Sequence, residues 1–539
     1  MKELKAVLAN WEAVIGLEVH TELTTLQTKM FCSCKIEYGA APNTHVCPVC
    51  LGMPGALPQP NKAAIQSIVL AGLATNCQIQ RRSMFYRKNY FYPDMSKNFQ
   101  TTQGPVAFCM YGGIDLEVTG AAACERDQRQ GTRPLASGDG YVTPIGIQRI
   151  HMEEDAGKMV HVGGESGRIT GADYSLLDYN RCGTPLIELV TKPDLRTPEE
   201  ARLFLQELRQ IFLALRISDC SMEQGSLRCD GNISLRRRGS EQLGAKTELK
   251  NMNSFKNLHD GLAYEICRQA KVLESGERVL QETRHWEPSA RRTVSMRIKE
   301  TADDYRLFPE PDLAPYDLSD EFVASVRAML PELPAARRTR YLSDYELPAA
   351  DARLLAADND LAAFFDSALL AASANTDGDL SASGLGGGKG GQAKSVRLVT
   401  LAKQLANLLL NDTQAYLNVH NFKLVDTSLT PEHLVQLAAL VADGELSSKQ
   451  GKEVFAQTIK EGTSPRDTVN HLGIKQLSDT DALQAVVNDV LARFPDKVQQ
   501  YRAGKTGLLG FFVGQAMQAT TGQANPQLLN EMFMQTLAE

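Results

Sequence analysis

Apolar and polar residues alternate along Val14-Ile15-Gly16-Leu17-Glu18-Val19-His20-Thr21-Glu22-Leu23. A period of two predicts a β-strand, with Ile15, Leu17, Val19 and Leu23 turned to a core and Gly16, Glu18, His20 and Glu22 to the other face. Helical periodicity follows at 60–76, 198–217 and 255–275, the second of these opening with Pro198 and two acids in its first turn. Between the helices, residues 104–190 and Leu227 to Leu235 divide into turn-rich segments of strand length. The first 315 residues therefore read as one α+β body. Beyond Pro315 the texture is helical, at 321–329, 335–341 and 349–370, and again at 431–442, 449–460, 479–493, 507–519 and after Pro526. A Gly/Ser-rich stretch at 376–394 interrupts it and reads as a flexible linker. The expected class is α+β: a mixed α/β domain at 1–315, an all-α domain at 316–428 containing that linker, and an all-α tail at 429–539.

Composition narrows the class. A chain of 539 residues is too long for one core, and 43% apolar with 22% charged residues describes a globular protein. A net charge of -7 excludes a protein that coats nucleic acid with a uniform positive field, while leaving room for local basic patches. The opening MKELKAVLAN has neither the apolar core of a secretion signal nor the Arg/Ser-rich character of a transit peptide, and no apolar run approaches the ~20 residues that span a bilayer. A cytoplasmic protein is expected. Eleven cysteines, an odd number, argue for reduced thiols. Four of them, Cys32, Cys34, Cys47 and Cys50, form two close pairs joined through Gly39, Pro42 and Asn43, which predicts a closed tetrahedral zinc site that pins a loop.

Carboxylates gather in three places: Glu18 and Glu22 around His20, the run His151-Met152-Glu153-Glu154-Asp155-Ala156-Gly157-Lys158, and Glu223 ahead of Asp230. Carboxylates that converge with an imidazole make a hard, oxygen-rich site suited to Mg²⁺. Each cluster alone also fits an ordinary solvated strand face. Between Gln80 and Tyr92 cations interleave with aromatics, which fits either a strand with a cationic outer face or a binding cleft. Gly388 to Ser395 falls one residue short of a phosphate-binding loop, with Ala393 where the second glycine belongs. Near the end, Arg502 to Gly507 offers cations and backbone amides fit for sugar-phosphate contacts.

Read together, Val14 to Leu23, Tyr86-Arg87-Lys88-Asn89-Tyr90-Phe91-Tyr92-Pro93-Asp94, the HMEEDAGK run, Asn180 to Glu188, Lys246 to Phe255 and Phe308-Pro309-Glu310-Pro311-Asp312 resemble the B subunit of aspartyl/glutamyl-tRNA amidotransferase. The resemblance spans nearly the whole chain. It implies a cradle-like catalytic domain and a carbon–nitrogen ligase that uses ATP and Mg²⁺ to amidate Glu or Asp carried on misacylated tRNA. It also implies a glutaminase A subunit that supplies ammonia, a small C subunit, and a helical tail that holds tRNA. On this resemblance Glu18, His20, Glu153, Glu154 and Glu223 are expected at the nucleotide site, with Glu18, His20 and Glu154 on Mg²⁺. Lys88, Tyr90 and Lys97 are expected along the ammonia route and substrate cleft, and Lys505, Gly507 and Asn525 on tRNA. Members occur with and without the four cysteines, so zinc rests on their spacing alone. The stretches at 376–394 and near Cys124 to Tyr141 depart from the family pattern. A tRNA-binding scaffold without catalysis is the rival; it leaves three carboxylate clusters idle.

Overall fold

The computed structural model describes residues 2–120, 129–163, 171–298, 305–382, 390–474, 480–520, 524 and 526–538. The chain divides into two compact units, Met1–Leu333 and Pro334–Glu539.

The first unit is organised on a sheet with thirteen strands among the described residues. In chain order these are β1 (Trp11–Glu22), β2 (Gln78–Ile79), β3 (Phe85–Asn89), β4 (Phe99–Gln103), β5 (Cys109–Thr119), β6 (Arg133–Pro134) and β7 (Gly140–Glu154). They continue with β8 (Pro185–Thr191), β9 (Leu227–Arg237), β10 (Thr247–Lys250), β11 (Glu282–Glu287), β12 (Arg292–Ile298) and β13 (Phe308–Pro309). The hydrogen-bonded order is β12-β11-β10-β9-β1-β8-β7-β4-β3-β13, with β5 and β6 on β7 and β2 on β5. Pairing is antiparallel except between β10 and β11. The opening strand therefore lies mid-sheet, flanked by β8 and β9.

Its alternation sorts the two faces as the period requires. Ala13, Ile15, Leu17 and Val19 are buried in the main core. That core also takes Ile68 of helix α1 (Lys62–Ala74), Phe204 and Leu208 of α2 (Pro198–Ala214), and Leu258 and Leu262 of α3 (Phe255–Glu274). Helices α1 and α2 carry Asn61 and Thr197 at their N-caps, each side chain accepting from first-turn amides. The unit continues past residue 315 because helix α4 (Asp320–Arg327) contacts α1 and adds Val323 and Val326 to the same core.

In the second unit one apolar cluster runs from Tyr341 to Ile459 without a break at 428, and another from Leu483 to Leu537. The change of core thus falls after 459 and not at 428, because Leu429 and Leu434 pack with Leu355 and Leu405. The helix expected over 349–370 is two, Ala349–Ala357 and Asn359–Ala382, since Asp358 is extended and its carboxylate accepts from the amides of Asp360 and Leu361. Helical backbone reaches Ala382 and resumes at Gly390, so both ends of the expected linker are helical. Residues 383–389, including the start of the phosphate-loop echo, lie outside the described residues. So do 124–128 of the insertion; its remainder contains β6 and the start of β7.

Asn61 does more than cap α1, because its amide also donates to Thr28 O at 3.1 Å and Thr28 Oγ1 at 3.0 Å. Asn61→Ala should therefore lower the unfolding free energy of the first unit by about 1–2 kcal/mol, the upper range for a lost N-cap, as measured by urea denaturation followed by tryptophan fluorescence.

Candidate active site

Strand register builds a polar row on the face opposite the core. Arg228 on β9 lies across from His20 on β1, His20 from Glu188 on β8, and Glu188 from His151 on β7. The Glu188 carboxylate stands between two imidazoles, with its Oε2 at 3.4 Å from His20 Nε2 and 3.2 Å from His151 Nε2. Glu153, two positions beyond His151 on the same face, reaches to 3.8 Å from His20 and 3.9 Å from His151. One atom from each of His20, Glu153 and Glu188 lies within 4.8 Å of the others, close enough to share a metal ion.

Burial divides the charges. It would raise both acids, but for Glu188 the two imidazoles outweigh it and hold the carboxyl well below the usual range. Glu153 is fully enclosed; burial and then the Glu188 charge push it up, and the histidines recover only part of that. Burial alone would lower His20, yet Glu188, Glu153 and Asp230 raise it. A cation at this point would take up negative charge that the histidines now balance. The chemistry of this donor set fits a hard divalent ion held by few protein ligands.

A second carboxylate pair adjoins the first. Glu22 is pushed up to about 8 by burial and by Asp155, while Arg228 and Arg181 hold Asp155 low against its own burial. Arg228 donates to Asp155 Oδ2 at 3.0 Å, and Arg181 Nε lies 3.3 Å from the same oxygen. Further along, Lys250 Nζ sits 2.5 Å from Asp230 and 3.3 Å from Glu248.

The expected Mg²⁺ set Glu18, His20 and Glu154 is not brought together. Consecutive strand residues face opposite sides, so Glu154 points away from His20; it pairs with Lys97 and accepts from Thr101 N at 2.8 Å. Glu153 and Glu188 take its place beside His20. Glu18 shares the face of His20 but accepts from Asn232 Nδ2 at 2.8 Å and is absent from the metal-spaced group. Glu223 is exposed in the turn before β9. Lys88 and Tyr90 belong with the Glu153 face: the Lys88 charge acts on Glu153, and burial followed by Asp94, Asp155 and Glu153 raises the Tyr90 hydroxyl. Lys97 lies on the Glu154 face. Lys505 and Gly507 are exposed between the helices Pro495–Arg502 and Leu509–Ala519, with Lys505 donating to Gln500. Asn525 lies outside the described residues. Spacing alone missed Glu188, His151 and Arg228; once the four strands are paired, the two-residue period names them.

On the Glu154 face is a cavity of about 270 Å³ lined by Cys32, Cys50, Arg87, Lys97, Glu154 and Glu310, among others. Arg87 grips Glu310 through two bonds of 2.6 and 2.7 Å. At its edge the Sγ atoms of Cys32, Cys34, Cys47 and Cys50 lie within 4.8 Å of one another. The Cys47 amide donates to Cys50 Sγ at 3.2 Å. The Cys32 thiol, outweighing burial, brings Cys50 down to about 5, whereas burial pushes Cys34 up to about 11. Four sulfurs at this spacing, one already favoured as thiolate, fit a tetrahedral thiolate site.

Residues 13–324, more than half of the chain, match the GatB/GatE catalytic domain family. The chain belongs to this family. Residues 393–537 match the GatB domain. The B subunit of an aspartyl/glutamyl-tRNA(Asn/Gln) amidotransferase from Carboxydothermus hydrogenoformans is 43% identical over 532 residues, covering 99% of this chain and 100% of that one. The protein of the same name from Acaryochloris marina is 42% identical over 527 residues, 98% of each chain. The polar row, the cavity and the four cysteines all lie within the catalytic-domain match.

Because Glu22 binds its proton more tightly when folded, its contribution is largest at low pH and is lost as pH rises from the unfolded value toward 8. Glu22→Gln, which mimics the protonated acid, should match wild type in thermal midpoint near pH 4 and exceed it increasingly up to pH 8, as read by scanning calorimetry across that range.

Proposed function

We propose that this chain carries the amidation step of a tRNA-dependent amidotransferase: it phosphorylates the side-chain carboxylate of Glu on tRNA(Gln), or Asp on tRNA(Asn), and replaces the phosphate with ammonia. Hydroxide is a poor leaving group from a carboxylate. A carboxylate oxygen therefore attacks the γ-phosphorus of ATP and ADP departs; ammonia then adds to the acyl carbon, phosphate leaves with the C–O electron pair, and the nitrogen loses a proton. Such chemistry depends on positioning and on balancing developing charge. The convergence of His20, Glu153 and Glu188 on one point of the polar face is the observation that carries this reading.

Mg²⁺ at these three residues would neutralise phosphate oxygens. Glu18, steadied by Asn232, lines the approach, and Arg228 and Lys88 supply cations on the same face. Lys97 and Glu154, in the cavity behind, belong to the passage for ammonia, with Tyr90 at its polar mouth. Ammonia comes from a glutaminase partner, the A subunit, accompanied by the small C subunit. The helical tail, with Lys505 and Gly507 on exposed backbone, holds tRNA. Among the described residues no helix is long and apolar enough to cross a membrane, which suits work in the cytoplasm beside the translation machinery.

Zinc at Cys32, Cys34, Cys47 and Cys50 would pin the 30–53 loop, with all four coordination positions filled by protein. Cys47→Ser should lower both zinc content, by elemental analysis, and the thermal midpoint, since structural zinc contributes directly to folding.

The test of the kinase assignment is amide formation with ammonia supplied directly to the assembled complex. His20→Ala and Glu188→Gln should each slow it by about 10²- to 10³-fold, the usual loss for one transition-state charge contact, while basal glutamine hydrolysis by the partner survives. A scaffold that only delivers tRNA would leave turnover near normal at saturating tRNA, and that result would overturn the assignment.

A further inference from the structure

Lys29 is a charged side chain with no exposed surface. Its ammonium donates to His45 O at 2.9 Å, Tyr179 O at 3.2 Å and Cys50 Sγ at 3.6 Å. Among the described residues no carboxylate comes within 4.0 Å of it. Two carbonyls satisfy its donors but leave its charge uncompensated, and an uncompensated buried ammonium is strongly disfavoured. The remaining partner is a sulfur of the four-cysteine group. Among the described residues Cys50 Sγ is the one anionic partner within its reach, and four thiolates around a divalent ion would keep it so, because the cluster then carries a net charge of about minus two.

We infer that Lys29 is the built-in counter-ion of a zinc–thiolate cluster at Cys32, Cys34, Cys47 and Cys50, and that its ammonium fastens this cluster to the loop behind the Lys97–Glu154 cavity. The inference rests on the zinc reading above. The fastening is visible in the contacts around Cys50. Lys29 reaches Tyr179 in the 179–183 loop, Met30 N donates to Gly183 O at 2.8 Å, and Cys50 O accepts from Ser96 Oγ at 2.9 Å and Cys182 Sγ at 3.4 Å. Gly183 has φ +85°, and a methyl group there would stand 3.5 Å from both Cys50 Cβ and Lys29 Cδ and 3.9 Å from Glu154 Oε2. Cluster, ammonium and cavity wall thus meet at one residue. Lys29 is a positioning residue: it touches a metal ligand, not the reacting atoms.

Full-length protein, its Lys29→Met and Lys29→Gln variants, and the Lys29→Met change in a background with all four cysteines replaced by serine distinguish this role from simple packing. Zinc release to a chromogenic chelator should be at least about tenfold faster in both single variants, as for other residues that support metal ligands. Lys29→Met should lower the thermal midpoint of the zinc-loaded protein and raise it in the serine background, where the ammonium has lost its counter-ion. Unchanged zinc release, or a lowered midpoint in both backgrounds, would overturn the inference. Wild-type protein that takes up no zinc would instead overturn the metal reading beneath it, a separate result visible before any variant is made.

Discussion

The pleat of β7 forces Glu153 and Glu154 to opposite sides of one sheet, and the rest of the site follows from that separation. Glu153 joins His20, Glu188 and His151 on the polar face, while Glu154 turns to Lys97 and Thr101 behind it. A one-residue slip in register would exchange them, placing an unpaired acid in each environment. Register is held by antiparallel neighbours on both sides of β8 and by the apolar half of β1, whose burial no slipped pairing could keep.

Electrostatics on the polar face divides a crowd of acids between charged and neutral forms. Glu188 keeps its charge between two histidines, Glu153 tends toward the neutral form, and Glu22 holds a proton beside Asp155. Such splitting of neighbouring carboxylates is typical of sites built to receive positive charge or to move protons. Arg228 and Arg181 anchor Asp155, and Arg228 also reaches Glu22 at 4.0 Å.

Much of this was legible in the sequence. The alternation from Val14 to Leu23 assigned faces correctly residue by residue, and helix ends fell within a few positions where Asn61, Thr197 and Ser254 supply caps. The pairing of Cys32 and Cys34 with Cys47 and Cys50 announced their meeting. What one strand cannot reveal is which other strands lie beside it. Glu188 and Arg228 become neighbours of His20 only through pairings 168 and 208 positions away along the chain. The adjacency of Glu153 and Glu154 misled for the same reason, because nearness along the chain is not nearness across a pleat. The glycines and serines of 376–394 suggested a linker, yet the backbone is helical at both of its ends.

The grip of Arg87 on Glu310 joins residues 223 positions apart and seals the edge where β13 adds to β3. During synthesis at about 5–20 residues per second, Arg87 waits on the order of ten to forty seconds for its partner to be made. The wall of the cavity it borders therefore closes only once residue 310 has been made, later than β1, β7 and β8, which bring the metal-spaced triangle together.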